Sequence, residues 1–484
     1  MLRAYCNGYY SLQTLELYIH MRRIGIKPNN YSFPFVLKSC AKGFYSLQGM
    51  LVHCDVMKTG FDSDLCVAAA LVNVYAKCGL VHESRKVFDE MSERDLVCWT
   101  TMITAYERGG MASEALRLFW NMQQERFFMD GVIAISVASA IGQLGYGRNA
   151  KAIHGSVVCN GYVRDVSVGS AVLAMYAKCG EVENACLVFG RMMEKDETTW
   201  NAMLSCYTKN GLASEAFALF DKLLDSGIRP GYVTFLVMVG ACALVGSKKH
   251  GKKFHDFIVK SRIKIDFALG NALMDMYAKC GDMETCIELF NERPASDWRV
   301  STWNVLISGY GMHGHGRKAL EMFSRMIAEG IQPDHITFTS ILSACSHSGL
   351  IDEARRCFAD MKKFSVNPEP KHYACLVDML GRAGLLSEAY ELIKEMGSEA
   401  NDEVWGALLL GCKIHGNKEF GEIAAENLFR LEPKHAGYSV LMSNLYADSS
   451  KWKEVVKLRE TMKIGGLKKP AAMSLVEFPE EVCS

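Results

Sequence analysis

Tyr75-Ala76-Lys77-Cys78-Gly79 returns as Tyr176-Ala177-Lys178-Cys179-Gly180 and again as Tyr277-Ala278-Lys279-Cys280-Gly281, 101 residues further on each time. His53, His154 and His255 keep the same interval, and Trp99, Trp200 and Trp303 stand 101 and then 103 residues apart. Three unrelated residue types on one period mark a repeat array, not a row of separate globular domains. Each block divides into 35, 35 and 31 residues, for instance Leu96–Asp130, Gly131–Asp165 and Val166–Asp196. Every unit reads as two helices. In Leu96–Asp130 the first carries Trp99, Met102, Ile103 and Tyr106 and stops at Gly109-Gly110; the second carries Ala115, Leu116, Leu118, Phe119 and Met122. Spacings of three and four gather these side chains on one face. Gly227 with Pro230, and Gly330 with Pro333, mark helix exits of one kind, a glycine stop followed by proline. A single helix pair cannot bury its stripe, but stacked neighbours can, so the sequence predicts an all-α solenoid.

Composition agrees. Of 484 residues, 49% are hydrophobic, which excludes a disordered chain. Lys+Arg 54 balance Asp+Glu 54, so no global positive field attracts nucleic acid. Any such contact is local, with modest affinity and a shallow salt dependence. The 18 cysteines are scattered through helical patterns as small hydrophobes and read as free thiols of a reducing compartment. The longest apolar stretch, around Tyr232–Val245, falls short of the roughly 20 residues that span a bilayer and reads as a buried helix. The start has neither a signal-peptide core nor an Arg/Ser-rich transit segment.

Several strings imitate chemistry. Gly145 to Ala150 fits GxGxxA, and Gly246 to Lys252 fits GxxxxGK, with Lys253 where Ser or Thr should bind magnesium. Neither follows a strand, so both are expected to be turns between helices. His53, His154 and His255, like Cys78, Cys179 and Cys280, are separated by whole blocks and cannot form one cluster. His313 and His315 flank Gly314 in a turn, without a further ligand at zinc-like spacing. The sequence predicts no catalytic residue, no metal and no cofactor.

Units of about 35 residues that open at Trp200-Asn201 or Trp303-Asn304 and close in Gly-Ile-x-Pro resemble pentatricopeptide repeats. The alternation of 35, 35 and 31 resembles the plant P-L-S subclass, with "MYAKCG" in the short S unit and His154 or His255 in the L unit. The resemblance implies a right-handed superhelical α-solenoid of tandem helix-turn-helix repeats. A shortened first repeat runs 1–29, about six opening residues short, which suggests a start further upstream. The others fall at 30–64 (L), 65–95 (S), 96–130 (P), 131–165 (L), 166–196 (S), 197–231 (P), 232–266 (L), 267–299 (S), 300–334 (P), 335–370 (L) and 371–401 (S). Two extra residues near Asp297–Arg299 blur the end of one S unit. From 402 to 469, Val404-Trp405, Ile414-His415-Gly416-Asn417, Tyr438, Asn444-Leu445-Tyr446 and Trp452 resemble the family's E region, ahead of a short tail, 470–484. The deaminase domain of longer relatives is expected to be absent: no His-x-Glu and no Cys-x-x-Cys occurs.

In that family the fifth and last residues of a unit read one base of single-stranded RNA. The resemblance places these pairs at Thr100 with Asp130, Ser170 with Asp196, Asn201 with Gly231, Asn271 with Asp297 or Arg299, and Asn304 with Asp334. A carboxamide offers donor and acceptor to a pyrimidine, while a small hydroxyl leaves room for a purine. By the family's code Thr/Asp and Ser/Asp imply G, Asn/Asp implies U, and the other Asn units a pyrimidine. The alternative is that these Asn, Ser and Thr residues only cap helices. Ala69 and Cys375 are poor readers, and Pro34, Ile135 and Leu236 in the L units space rather than specify. The residue that sandwiches bases is Val97 in one unit but Thr198 and Ser301 in others. The implied function is an RNA-binding adaptor for C-to-U editing of an organellar transcript, by preference mitochondrial. A deaminase-bearing relative or other editing cofactor would act in trans, with no membrane and no small-molecule substrate involved. The alternatives are a factor for transcript stability, splicing or translation, and a protein-binding helical scaffold.

Overall fold

The computed structural model describes residues 1–8, 10–294, 298–432, 436–448 and 450–464. Among these it has 28 α-helices, a few short 3-10 turns and no strand. None of these helices is long and apolar enough to cross a membrane. Two compact units, Met1–Val237 and Met238–Ser484, divide the chain within the helix Tyr232–Val245.

In the first unit, helix pairs follow one another as the period requires. Leu65–Lys77 precedes Val81–Glu90, Leu96–Arg108 precedes Ala112–Gln124, and Gly131–Leu144 precedes Gly147–Cys159. Val166–Lys178 then precedes Val182–Arg191, and Glu197–Lys209 precedes Ala213–Asp225. Each first helix from Leu65 to Glu197 starts behind an aspartate. Asp64, Asp95, Asp130, Asp165 and Asp196 accept from backbone N–H groups that the helix itself leaves unsatisfied. Capping thus belongs to the residue that closes each of these units, not to the Asn, Ser and Thr at the fifth place.

The recurring pentapeptide now has a physical reason at each position. Its tyrosine ends the buried face of the first helix, its lysine is the last helical residue, its cysteine follows as the cap, and its glycine turns left-handed. At Gly79 and Gly180 φ is +77° and +73°, a conformation that costs a residue with a Cβ roughly 1–2 kcal/mol. The tyrosine also explains the histidine that shares its period. Tyr75 and Tyr176 hydroxyls lie 2.8 and 3.1 Å from Nδ1 of His53 and His154. The tryptophans pack edge-on against the preceding unit, Trp99 on Phe88 at 4.9 Å and Trp200 on Phe189 at 5.0 Å. Gly145 caps the first L-unit helix with φ +68° and Gly147 opens the second, so the GxGxxA string crosses a turn between helices and follows no strand.

The second unit repeats these devices. Tyr277 meets His255 at 2.9 Å, Gly281 has φ +78°, and Trp303 packs on Phe290 at 4.9 Å. Asp266, Asp334 and Asn401 cap Phe267–Lys279, His335–Ser348 and Asp402–His415. The insertion ahead of Val300–Met312 brings in Trp298, which stacks flat on Phe290 at 4.9 Å beneath the Arg325 guanidinium. Asp297 lies outside the described residues. Helix Pro370–Arg382 follows Glu369 as its cap. That phase puts the repeat boundary between Glu369 and Pro370, one residue before the 335–370 and 371–401 division, and gives the fifth place to Ala374 instead of Cys375. Burial pushes the thiols of Cys40, Cys98, Cys242 and Cys345 up to about 12, so they pack as neutral side chains.

The His–Tyr pairs should make stability acid-sensitive. Burial lowers the pKa of His53 and His255 against the pull of nearby carboxylates, and lowers that of His154 with help from Arg191. A histidine less basic folded than unfolded gains a proton on unfolding. Its contribution is complete above the unfolded pKa of about 6.5 and is lost as pH falls below it towards the folded value. The thermal midpoint should drop between pH 7.5 and pH 5.5, and drop less when all three histidines are replaced by Gln. An equal drop in the triple variant would place the acid sensitivity elsewhere.

Candidate nucleic-acid interface

The fifth residue of each first helix stands one turn in from the helix start, beside the start of the next unit's first helix. Local folding therefore decides what each candidate can offer. Thr100 donates to the Leu96 carbonyl at 2.7 Å and lies 3.5 Å from Asp130 Oδ2, while Asp130 Oδ1 caps Ile133 N–H. One oxygen of this aspartate is structural and the other faces the threonine. Ser170 is buried and does not touch Asp196 directly. Its hydroxyl meets Thr199 Oγ1 at 2.7 Å, and Thr199 in turn donates to Asp196 Oδ1 at 2.6 Å.

The asparagines are held more firmly. Asn304 donates from Nδ2 to Asp334 Oδ1 at 3.1 Å and accepts at Oδ1 from Thr337 Oγ1 at 2.6 Å. Asp334 Oδ1 also accepts from Thr337 N–H at 2.8 Å and lies 2.8 Å from the Thr337 hydroxyl oxygen, which closes a triangle of three side chains. An ionised carboxylate only accepts, so Nδ2 must face Asp334 and Oδ1 must face the hydroxyl: the amide cannot turn over. Burial pushes the Asp334 pKa up, but hydrogen bonds from Thr337 N–H and the Asn304 amide, among others, outweigh it and hold it below its ordinary value. Asn271 accepts from Thr302 Oγ1 at 3.1 Å and from Arg293 Nη1 at 3.4 Å, and donates to Ser301 Oγ at 3.1 Å. Of its two candidate partners, Arg299 instead lies over the Phe267 ring, 4.3 Å from the centroid. Asn201 accepts from Thr234 Oγ1 at 2.8 Å. Gly231 has no side chain to offer, and its place is filled by Glu197.

One regularity was not read from the sequence. Thr199, Thr234, Thr302 and Thr337, each the third residue of a first helix, bond the fifth residue of the preceding unit. A threonine near a helix start looks like an ordinary capping residue. Only its recurrence against Ser170, Asn201, Asn271 and Asn304 reveals the second task. Val97, Thr198 and Ser301, the expected sandwich positions, are all exposed.

Other donor sets serve packing. Among the described residues His335, Glu369 and His372 come together as a metal site would require. His372 Nδ1 accepts from Glu369 N–H at 2.9 Å and its Nε2 bonds the His335 carbonyl at 3.0 Å. Both ring nitrogens are spent on backbone, so the cluster is a joint between helices. His313 Nε2 bonds the Ala278 carbonyl at 2.7 Å. In the second unit the first helices carry a 310 Å³ groove lined by Ser343, Ser346, Ala374, Asp378, Glu403 and Leu410.

Tandem capped helix pairs carrying a phased row of small polar side chains define a helical-repeat protein. Comparison with known proteins gives the family. PPR repeat models match residues 69–96, 97–127, 170–196, 271–292, 336–366 and 372–399, and 195–243 and 299–347; an E motif model matches 415–477. A mitochondrial pentatricopeptide repeat-containing protein of Arabidopsis thaliana is 38% identical, over 98% of this chain and 73% of its own length. A chloroplastic one is 35% identical, over all of this chain but 56% of its own length, so the chain spans only part of such relatives. Maize PPR10 has the same fold, with a TM-score of 0.58 at 18% identity, covering 96% of this chain and 73% of that one. PPR10 has also been solved in complex with an 18-nt psaJ RNA element, with a TM-score of 0.53. The chain belongs to the pentatricopeptide repeat family, and it carries that family's E motif.

Proposed function

We propose that the chain is a sequence-specific single-stranded RNA-binding adaptor that directs C-to-U editing of an organellar transcript, with the deaminase recruited in trans through the E region. The observation that carries the RNA reading is the ladder. Thr100, Ser170, Asn201, Asn271 and Asn304 recur at one register, and in four of the five a threonine from the next helix holds the side chain. Such a row suits bases splayed singly and read on their Watson–Crick edges. The RNA complex of maize PPR10, a protein of the same fold, supports this reading. The E motif favours editing over transcript stability, splicing or translation.

No chemistry is assigned to the chain itself. Deamination needs a zinc-activated water and a glutamate acid/base, and this sequence contains neither His-x-Glu nor Cys-x-x-Cys. Relatives named as mitochondrial and as chloroplastic support an organelle, and mitochondrion is the preferred assignment. Filter binding should retain single-stranded RNA over a DNA of matched sequence; equal loss of both would favour a protein-binding scaffold. Organellar transcripts of a loss-of-function plant should keep a few cytidines unconverted, whereas altered ends, introns or abundance would favour the stability and splicing reading. Cytidine conversion by the purified protein alone would refute the adaptor role.

A further inference from the structure

Repeat 197–231 lacks a side chain at its last position, yet its Asn201 makes the same kinds of bond, each slightly longer, as Asn304 in repeat 300–334. Asn201 accepts at Oδ1 from Thr234 Oγ1 at 2.8 Å, as Asn304 does from Thr337 at 2.6 Å. Gly231 N–H donates to Thr234 Oγ1 at 3.3 Å, as Asp334 N–H does to Thr337 at 3.1 Å. The third bond of the triangle is present too. Asn201 Nδ2 donates to Glu197 Oε1 at 3.5 Å, and the Thr234 hydroxyl lies 3.4 Å from the same oxygen. Glu197 is the first residue of the helix that carries Asn201, one turn before it, so the carboxylate arrives along the helix instead of across the unit junction. The glycine is what admits it: a Cβ built on Gly231 would collide with Glu197 Oε1.

We propose that Glu197 is a specificity-determining residue of repeat 197–231, supplying the carboxylate its last position lacks and so giving it the base preference of repeat 300–334. The proposal rests on the RNA-binding reading above. Its physical basis is the fixed amide. Without an acceptor-only neighbour Asn201 can present its donor and acceptor in either order, and thus suits uracil and cytosine alike. A carboxylate beside Nδ2 and a hydroxyl donor at Oδ1 together leave one orientation, with one Nδ2–H and one Oδ1 lone pair for the base. Glu197 is exposed, so removing it takes nothing from the core.

The test uses the full chain and a pool of single-stranded RNA with a randomised 20-nucleotide stretch, sequencing the bound fraction. The column that Asn201→Ala erases is the one facing repeat 197–231. In the wild type that column should match the Asn304 column, which the repeat's pairing assigns to U. Glu197→Ala should bring the U:C ratio there from about five or more down to near one, leaving the Asn304 column and the thermal midpoint unchanged. Adding Gly231→Asp to Glu197→Ala should restore the ratio, because an aspartate at 231 takes the place Asp334 holds in its own repeat. A ratio untouched by Glu197→Ala, or not rescued by Gly231→Asp, overturns the assignment while leaving RNA binding intact. A wild type that enriches no motif overturns the RNA reading and this proposal with it.

Discussion

Exchanging Asn304 for Thr should move the preference of repeat 300–334 from uridine towards guanosine. Asn304 holds one orientation between Asp334 and Thr337, and its loss removes the carboxamide that, on the proposed RNA reading, would face a pyrimidine edge. Thr100 in repeat 96–130 shows what replaces it. Its hydroxyl turns back to the Leu96 carbonyl and leaves Asp130 Oδ2 open beside a smaller side chain. A threonine at 304 would turn back to the Val300 carbonyl in the same way and leave room for a purine, with the aspartate placed to accept from guanine N–H groups. One well-made base contact is worth about 1–3 kcal/mol, so affinity for the U-bearing RNA should fall by roughly 5- to 150-fold while the G-bearing RNA gains. Competition between two RNAs that differ at that single nucleotide measures it. A preference for U that survives the exchange would remove the ladder from the account of recognition.

The array was readable because each recurring residue does a local job that only one residue type does well. Gly79, Gly180 and Gly281 must turn left-handed, Asp95 and Asp196 must cap, and Trp99 and Trp200 must fill the gap over a phenylalanine. Such requirements write themselves into the sequence at the spacing of the fold. The phase at Pro370 is harder to read from sequence because Glu369, not the aspartate that starts most of the other first helices, stands before it. What stayed hidden acts between units. Glu197 reaches the space beside Gly231 only once two helices are docked, and nothing in its own sequence context distinguishes it from any acidic residue in a first turn. The position-three threonines are hidden for the same reason, since their partners are 29 to 33 residues earlier in the chain.

A second exchange tests whether the last repeat and the helix Asp402–His415, which leads into the E motif match at 415–477, hold together as one body. Helices Pro370–Arg382 and Asp402–His415 meet at Gly381 and Gly411, where backbone lies against backbone. A Cβ on Gly411 would stand 2.6 Å from Gly381 Cα and 3.0 Å from its carbonyl carbon. Both are main-chain atoms, so no rotamer relieves the clash and the helices themselves must separate. That would open the apolar contact in which Val377 and Leu380 pack with Leu408, Leu409 and Cys412. Overpacking of this kind costs about 1–3 kcal/mol, occasionally more, and Gly411→Val belongs at the upper end because its branch adds to an already impossible Cβ. Gly411→Ala should fall between the wild type and Val. Urea unfolding followed by tryptophan fluorescence, with Trp405 in the affected helix, measures the loss. RNA retention should change little, because the ladder residues lie in earlier repeats, whereas complementation of the editing defect in a mutant plant should fail. A Val variant within about 0.5 kcal/mol of the wild type would mean that this junction yields freely and that the glycines do not set it.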